Sequence, residues 1–262
     1  MALPANLFFL QVFFNAYAHE WTYQNQKLWP PQCKGHSQSP IELPSKNAVK
    51  THFSDLNFDS TVYTKNPIIL INSGHTVEAR FANSSMHPTV SGGGLSGEYV
   101  LEGFHFHWPS EHKVPGHKFP LEGHFVFYAK KHQSIKNALK TKNGVAALGV
   151  FYKLQKGNNP AFASLNNVEN IAHRVDEGIY SDFDVALADL LPIGSKFYRY
   201  YGSLTTPNCN EVVVWTVFMK PLHIGKQQFN QLRKIWDKHN KLLKFNNRQI
   251  QKLNGRKVYV GV

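Results

Sequence analysis

Phe104-His105-Phe106-His107-Trp108 is the stretch that decides the fold. Aromatic residues alternate with histidines. In an extended strand, successive side chains point to opposite faces, so the three aromatics fall on one face and the two imidazoles on the other. The aromatic face requires a core. The histidine face is then either wet surface or the wall of a cavity.

A second apolar segment follows about 17 residues on, His124-Phe125-Val126-Phe127-Tyr128. A connection of that length lets the two segments pair side by side. Further segments have the same character, rich in β-branched and aromatic residues and bounded by Gly, Pro, Asn or Ser. They run from Ile68 to Ile71, Thr76 to Phe81, Ala146 to Tyr152 and Val212 to Phe218. Helical spacing appears from Gln227 onward in Phe229, Leu232, Ile235, Trp236 and His239, and a second helix is expected over Asp184 to Leu191, stopped by Pro192. Strands outnumber helices and do not alternate with them. The expectation is a mainly β (α+β) single domain: a large, mostly antiparallel twisted sheet with short peripheral helices.

The chain has 262 residues, 42% of them hydrophobic and 13% aromatic, enough for one sizeable core and free of any run long enough to span a membrane. Its first residues read as a signal peptide. Leu7 to Phe14 form a short apolar core, and Ala16-Tyr17-Ala18 gives a cleavage pattern that leaves His19 as the mature start. The n-region lacks Lys and Arg, and a buried N-terminal strand is the competing reading. The expected organisation is a signal peptide over 1–18 and one domain over 19–262, secreted, monomeric and without a transmembrane or lipid anchor. The two cysteines, Cys33 and Cys209, suit one bridge in a secreted chain, with two separate buried thiols as the alternative. Asn83-Ser84-Ser85 is a glycosylation sequon on Asn83. A net charge of +12 raises the question of nucleic acid, but the lysines are scattered and no binding motif accompanies them, so no nucleic-acid partner is expected.

Fourteen histidines make a single His-x-His pair uninformative by itself. The positions of His105, His107 and His124 leave two readings open, a metal site or three incidental histidines. Three imidazoles leave a fourth tetrahedral position for water, which is the arrangement of a catalytic zinc and not of a structural one.

Several ordered motifs decide between the readings. Phe104 to Trp108, Ser110-Glu111-His112, Glu122-Gly123-His124 and Gly202-Ser203-Leu204-Thr205-Thr206-Pro207 together resemble the active-site signature of alpha-class carbonic anhydrases. Gln38-Ser39-Pro40-Ile41, Asn72-Ser73-Gly74-His75 and the segment from Asn246 to Arg256 resemble three flanking family motifs, so the similarity runs from about Trp21 to Arg256.

The resemblance implies Zn2+ held by His105, His107 and His124, and a zinc hydroxide that attacks CO2 to give bicarbonate. It implies that Thr205 orients the nucleophile while donating to Glu111, that Glu122 orients the third ligand, and that Asn246 supports the site from its own motif. His75 would carry the proton out. Val126, Ala147, Leu204, Thr206, Val213 and Trp215 would bind the substrate together with Thr205, and Tyr23 would join the polar wall. Cys33 and Cys209 match positions paired in secreted members. Four departures stand against this pattern. Gly103 replaces a Gln that bonds the first zinc histidine, Glu78 replaces an amide, Ala147 replaces Val, and the Pro109-Ser110 connection is short. Gly103 and the basic charge leave room for a second reading: a secreted binding or matrix protein with weak or no catalysis.

Overall fold

The computed structural model describes residues 21–44 and 47–261. The signal peptide and the cleavage point before His19 lie outside the described residues. Among the described residues, thirteen strands form one sheet. They are β1 (Val49–Thr51), β2 (Leu56–Phe58), β3 (Ile68–Asn72), β4 (Val77–Phe81), β5 (Thr89–Gly92), β6 (Tyr99–His107) and β7 (Leu121–Ala129), then β8 (Val145–Gln155), β9 (Gly178–Tyr180), β10 (Phe197–Gly202), β11 (Val213–Phe218), β12 (Leu222–Gly225) and β13 (Tyr259–Gly261). The main path runs β1-β13-β10-β11-β8-β7-β6-β4-β3-β9. The pairs β8–β11, β8–β12 and β1–β13 are parallel. The remaining pairings are antiparallel. The expected architecture is therefore observed, with two short α-helices, α1 (Ile135–Ala138) and α2 (Lys226–Leu232), at its margin.

The sheet separates two cores. Phe104, Phe106 and Trp108 of the deciding stretch enter the larger one, with Phe125 and Phe127 from β7. The opposite face holds a smaller core that includes Ile41, Val126, Ala147, Tyr200, Val213 and Trp215. All these side chains are buried, and β7 is covered on both faces. A slip of one residue in β6 would bring His105 and His107 into the aromatic core, so register here is strongly specified.

Helix expectations hold less well. α2 ends at Leu232, where Arg233 leaves helical geometry. Ile235 and Trp236 do not continue it. Trp236 bridges Leu242 in a tight hairpin, and the Asp237 carboxylate accepts from the His239 and Lys241 backbone N–H groups to close the turn. The apolar period is satisfied there by tertiary contact, since Ile235 is fully buried without being helical. The expected helix over Asp184 to Leu191 contracts to a 3-10 turn, Leu187–Leu190.

Cys33 and Cys209 form a disulfide with a Cα–Cα distance of 5.0 Å. It joins positions 176 residues apart, which in the chain-entropy view removes up to about 5 kcal/mol of unfolded-state freedom. The bridge packs with Tyr23 and Trp29 in a third small cluster and fixes the N-terminal segment beside the 205–209 loop.

Candidate metal centre

β6 and β7 pair antiparallel with His105 directly opposite His124. His107, two residues along β6, lies on the same face. One ligand atom from each of the three imidazoles falls within 4.8 Å of the others. His107 and His124 are at most 1% exposed, and His105 opens on the cavity. The spacing that the sequence offered thus becomes a convergent cluster.

The surrounding bonds select the free nitrogens. His107 Nδ1 donates to the Asn246 carbonyl at 2.7 Å, and His124 Nε2 donates to Glu122 Oε1 at 2.9 Å. In a neutral imidazole the other nitrogen is then a lone-pair donor. His107 Nε2 is buried without a hydrogen-bond partner among the described residues, as a metal-binding nitrogen would be. Burial, reinforced by the neighbouring imidazoles, holds His105 well below the usual histidine range and His107 below it too. Neutral rings are the state that binds metal. The residues present therefore fit a zinc ion.

Asn246 also accepts from the Trp108 backbone N–H and donates to the Phe106 carbonyl. It therefore pins both ends of the His107 peptide segment. Glu122 Oε1 additionally receives His112 Nδ1 at 2.6 Å, and Oε2 receives the His112 backbone N–H at 2.8 Å. Burial pushes the Glu122 carboxyl up, but His112 and His124 outweigh it and leave it well below the usual carboxylate range. His112 Nε2 lies 2.6 Å from the Tyr200 hydroxyl, which donates to Ser39 Oγ at 2.9 Å. His112 and Tyr200 thus extend the support of His124 toward the N-terminal segment. Sequence reading assigned neither a role. The only local signal was the Glu111-His112 pair inside the signature.

Glu111 is fully buried. Its Oε1 accepts from the Arg248 backbone N–H at 2.7 Å, whereas Oε2 has no hydrogen-bond partner among the described residues and lies 3.6 Å from His107 Nε2. Thr205, 5% exposed, lines the same cavity, but the expected Thr205–Glu111 hydrogen bond is not formed.

Val126, Ala147, Leu204 and Trp215 form the cavity's apolar side, and Thr206 sits beside Thr205. Val213 does not line it and belongs to the core beneath, while Val145, missed from sequence, does line it. The polar side carries Tyr23, His75, Thr76, Glu78 and Arg80. Tyr23 is nearly buried, and its hydroxyl has no hydrogen-bond partner among the described residues. Burial pushes the Glu78 carboxyl up, against the pull of Arg80 and Ser73. The Gly at 103 has a steric cause. A Cβ there would stand 2.9 Å from the Ala79 carbonyl and 3.1 Å from Arg80 Cγ, beside a bulge in β6. Among the described residues, His105 has no fixing bond of the kind that His107 and His124 make.

His75 stacks on Trp21, with ring centroids 3.7 Å apart and planes 9° apart. Burial first, and then Lys238, pushes its pKa down to about 3. Asn83 is exposed, and its side chain accepts from the Ser85 backbone and hydroxyl.

Such a cavity, with three convergent imidazoles, defines a candidate mononuclear metal site on a large β-sheet. The model of the eukaryotic-type carbonic anhydrases matches residues 18–262. Putative carbonic anhydrase 5 of Caenorhabditis elegans is 34% identical over 92% of this chain and 81% of its own length. Carbonic anhydrase 3 of Homo sapiens is 32% identical over 83% of this chain and 87% of its own. The chain belongs to the eukaryotic-type carbonic anhydrase family.

Glu122→Ala removes the acceptor for both His112 and His124. It is expected to weaken zinc binding about 10–100-fold, as read by competition with a chelator. Unchanged affinity would show that Glu122 does not support the centre.

Proposed function

We propose that the protein catalyses the reversible hydration of carbon dioxide to bicarbonate and a proton, with zinc held by His105, His107 and His124. The convergence of these three imidazoles beside an apolar wall carries the reading. When bound, zinc supplies a Lewis acid that makes a water acidic enough to serve as the nucleophile near neutral pH.

The chain's own residues supply position and proton transfer. Val126, Ala147, Leu204 and Trp215 give a small, nearly apolar substrate a place to rest beside the centre. Thr205 has a hydroxyl that both donates and accepts. In the working site it donates to Glu111 Oε2, a bond that the described arrangement lacks, and so turns its lone pair toward the attacking oxygen and fixes that oxygen's orientation. Arg248 N–H holds the other Glu111 oxygen, so the carboxylate has one site left for this purpose.

His75 takes up the released proton. Stacked on Trp21 it is too weak a base for that task near pH 7, so it acts by leaving the stack for more polar surroundings, where an imidazole titrates near 6.5. The stacked position is its resting state.

The chain acts outside the cytosol, after removal of residues 1–18. The formed disulfide suits an oxidising compartment, and the exposed Asn83 sequon is accessible to glycosylation. The alternative of a binding or matrix protein with weak catalysis is favoured only by Gly103, which leaves His105 unbraced.

His107→Ala is expected to lose both stoichiometric zinc and nearly all CO2 hydration, as measured by metal analysis and stopped-flow. A variant that keeps both would refute the site. His75→Ala is expected to slow turnover most in weak buffer, with added imidazole restoring part of the rate; a rate indifferent to buffer would assign the proton path elsewhere. Protein collected from the medium of expressing eukaryotic cells should begin at His19 by mass spectrometry, whereas a chain retained with its N-terminus intact would contradict export.

A further inference from the structure

Arg199 is a cation inside the protein, 1% exposed, on the opposite face of the sheet from the metal centre. Along β10, Tyr198 and Tyr200 turn to the smaller core, and Phe197 turns to the larger one. Arg199 shares the Phe197 side. Its guanidinium carbon lies 5.4 Å from the Phe197 ring centroid and 5.8 Å from that of Phe53.

One nitrogen is satisfied, since Nη2 donates to the Gly93 carbonyl at 2.8 Å. Nε and Nη1 have no hydrogen-bond partner among the described residues. Directly opposite on β11 stands Thr216, fully buried, with its Oγ1 also unpartnered. Opposed residues of an antiparallel pair share a face and are in reach of each other. Three unsatisfied polar atoms therefore belong to one opposed pair on the same buried face of the sheet.

No ion pair joins Arg199 to a carboxylate among the described residues. The titratable groups that act on it are the phenols of Tyr201 and Tyr99, with no carboxylate among them. Burial lowers its pKa to about 10, so the guanidinium stays charged. A buried, uncompensated cation is costly, and an aromatic face offsets only part of that cost. Water could occupy the free N–H groups but could not offset the charge. An anion does both.

The backbone near the guanidinium is built for close approach. Gly92, Gly93 and Gly94 all have positive φ, at 70°, 55° and 81°. A Cβ on Gly93 would stand 2.6 Å from Leu56 Cδ2 and 3.4 Å from Arg199 Nη2. Glycine lets this loop deliver a carbonyl to one side of the guanidinium while the other nitrogens stay free.

We propose that Arg199 and Thr216 form a binding site for a small monovalent anion, of halide or bicarbonate size, separate from the metal centre. The proposal is independent of the reaction assigned above. It predicts that at fixed ionic strength the zinc-loaded protein melts at least about 2 °C higher in chloride or bromide than in gluconate, an anion too large for a buried site. Arg199→Met should abolish that difference. A bicarbonate arm separates the sources: a shift there alone assigns the site to bicarbonate, and a shift in all arms assigns it to small anions generally. Crystals soaked in bromide should show an anomalous peak within hydrogen-bonding distance of Arg199 Nε or Nη1 and Thr216 Oγ1. Equal melting in all salts with no such peak would overturn the proposal and leave water as the occupant. So would an anion effect that persists in Arg199→Met. Should that variant fail to fold, Thr216→Val and the bromide peak decide, and a peak only elsewhere refutes the site.

Discussion

β6 has two faces with opposite demands, and the site depends on both being met. Phe104, Phe106 and Trp108 are held in the larger core, so His105 and His107 are driven to the other side of the same strand. No separate device is needed to aim them. The pairing of β6 with β7 then sets His124 opposite His105. Because a one-residue slip would bury the imidazoles in aromatics and expose the rings, core packing and ligand placement are one constraint. The convergence of the three imidazoles is a by-product of a register that core packing strongly specifies.

Around this frame, buried polar contacts bring remote segments to the centre. Arg248 donates through its backbone to Glu111, and through its guanidinium to Gln38 Oε1 and to the Ser39 and Cys33 carbonyls. The disulfide ties Cys33 to the loop that carries Thr205. Ser39 receives Tyr200, which in turn meets His112 and, through it, Glu122. Short motifs near residues 38–41 and 246–256, far from the ligands in sequence, are thus parts of the same supporting network. This gives a physical reason for their presence in one sequence with the histidine strands. It also explains why removing one acceptor such as Glu122 is expected to act on zinc affinity rather than on the fold alone.

The strands were legible because their signals are local, whereas His105, His107 and His124 were singled out as a ligand set by the family resemblance and not by spacing alone. Alternation over Phe104 to Trp108 and a second apolar run at His124 are period-2 patterns that survive in any context. Elements decided by tertiary contact were not legible. The apolar period through Ile235 and Trp236 looked helical but is absorbed by a hairpin closed by Asp237. Tyr200 and His112 carry no spacing signal that links them, since they meet only across the folded sheet. Gly103 looked like a lost function, whereas the structure gives it a steric reason in the approach of Ala79 and Arg80. The stacking of His75 on Trp21, which changes its acidity, is equally a tertiary fact. Val213 and Val145 exchanged places because alternation identifies an apolar residue but not which apolar residues border an opening.

On the proposed function, three imidazoles on two paired strands hold a zinc that drives CO2 hydration. The most direct test is the hydration rate of the purified protein as isolated, after chelation, and after addition of one equivalent of zinc. The account predicts a fast rate that vanishes with the metal and returns with it at one ion per chain. A negligible rate with one zinc bound would contradict it. The fold would then serve a binding role, with His105, left unbraced by Gly103, as the first place to look for the cause.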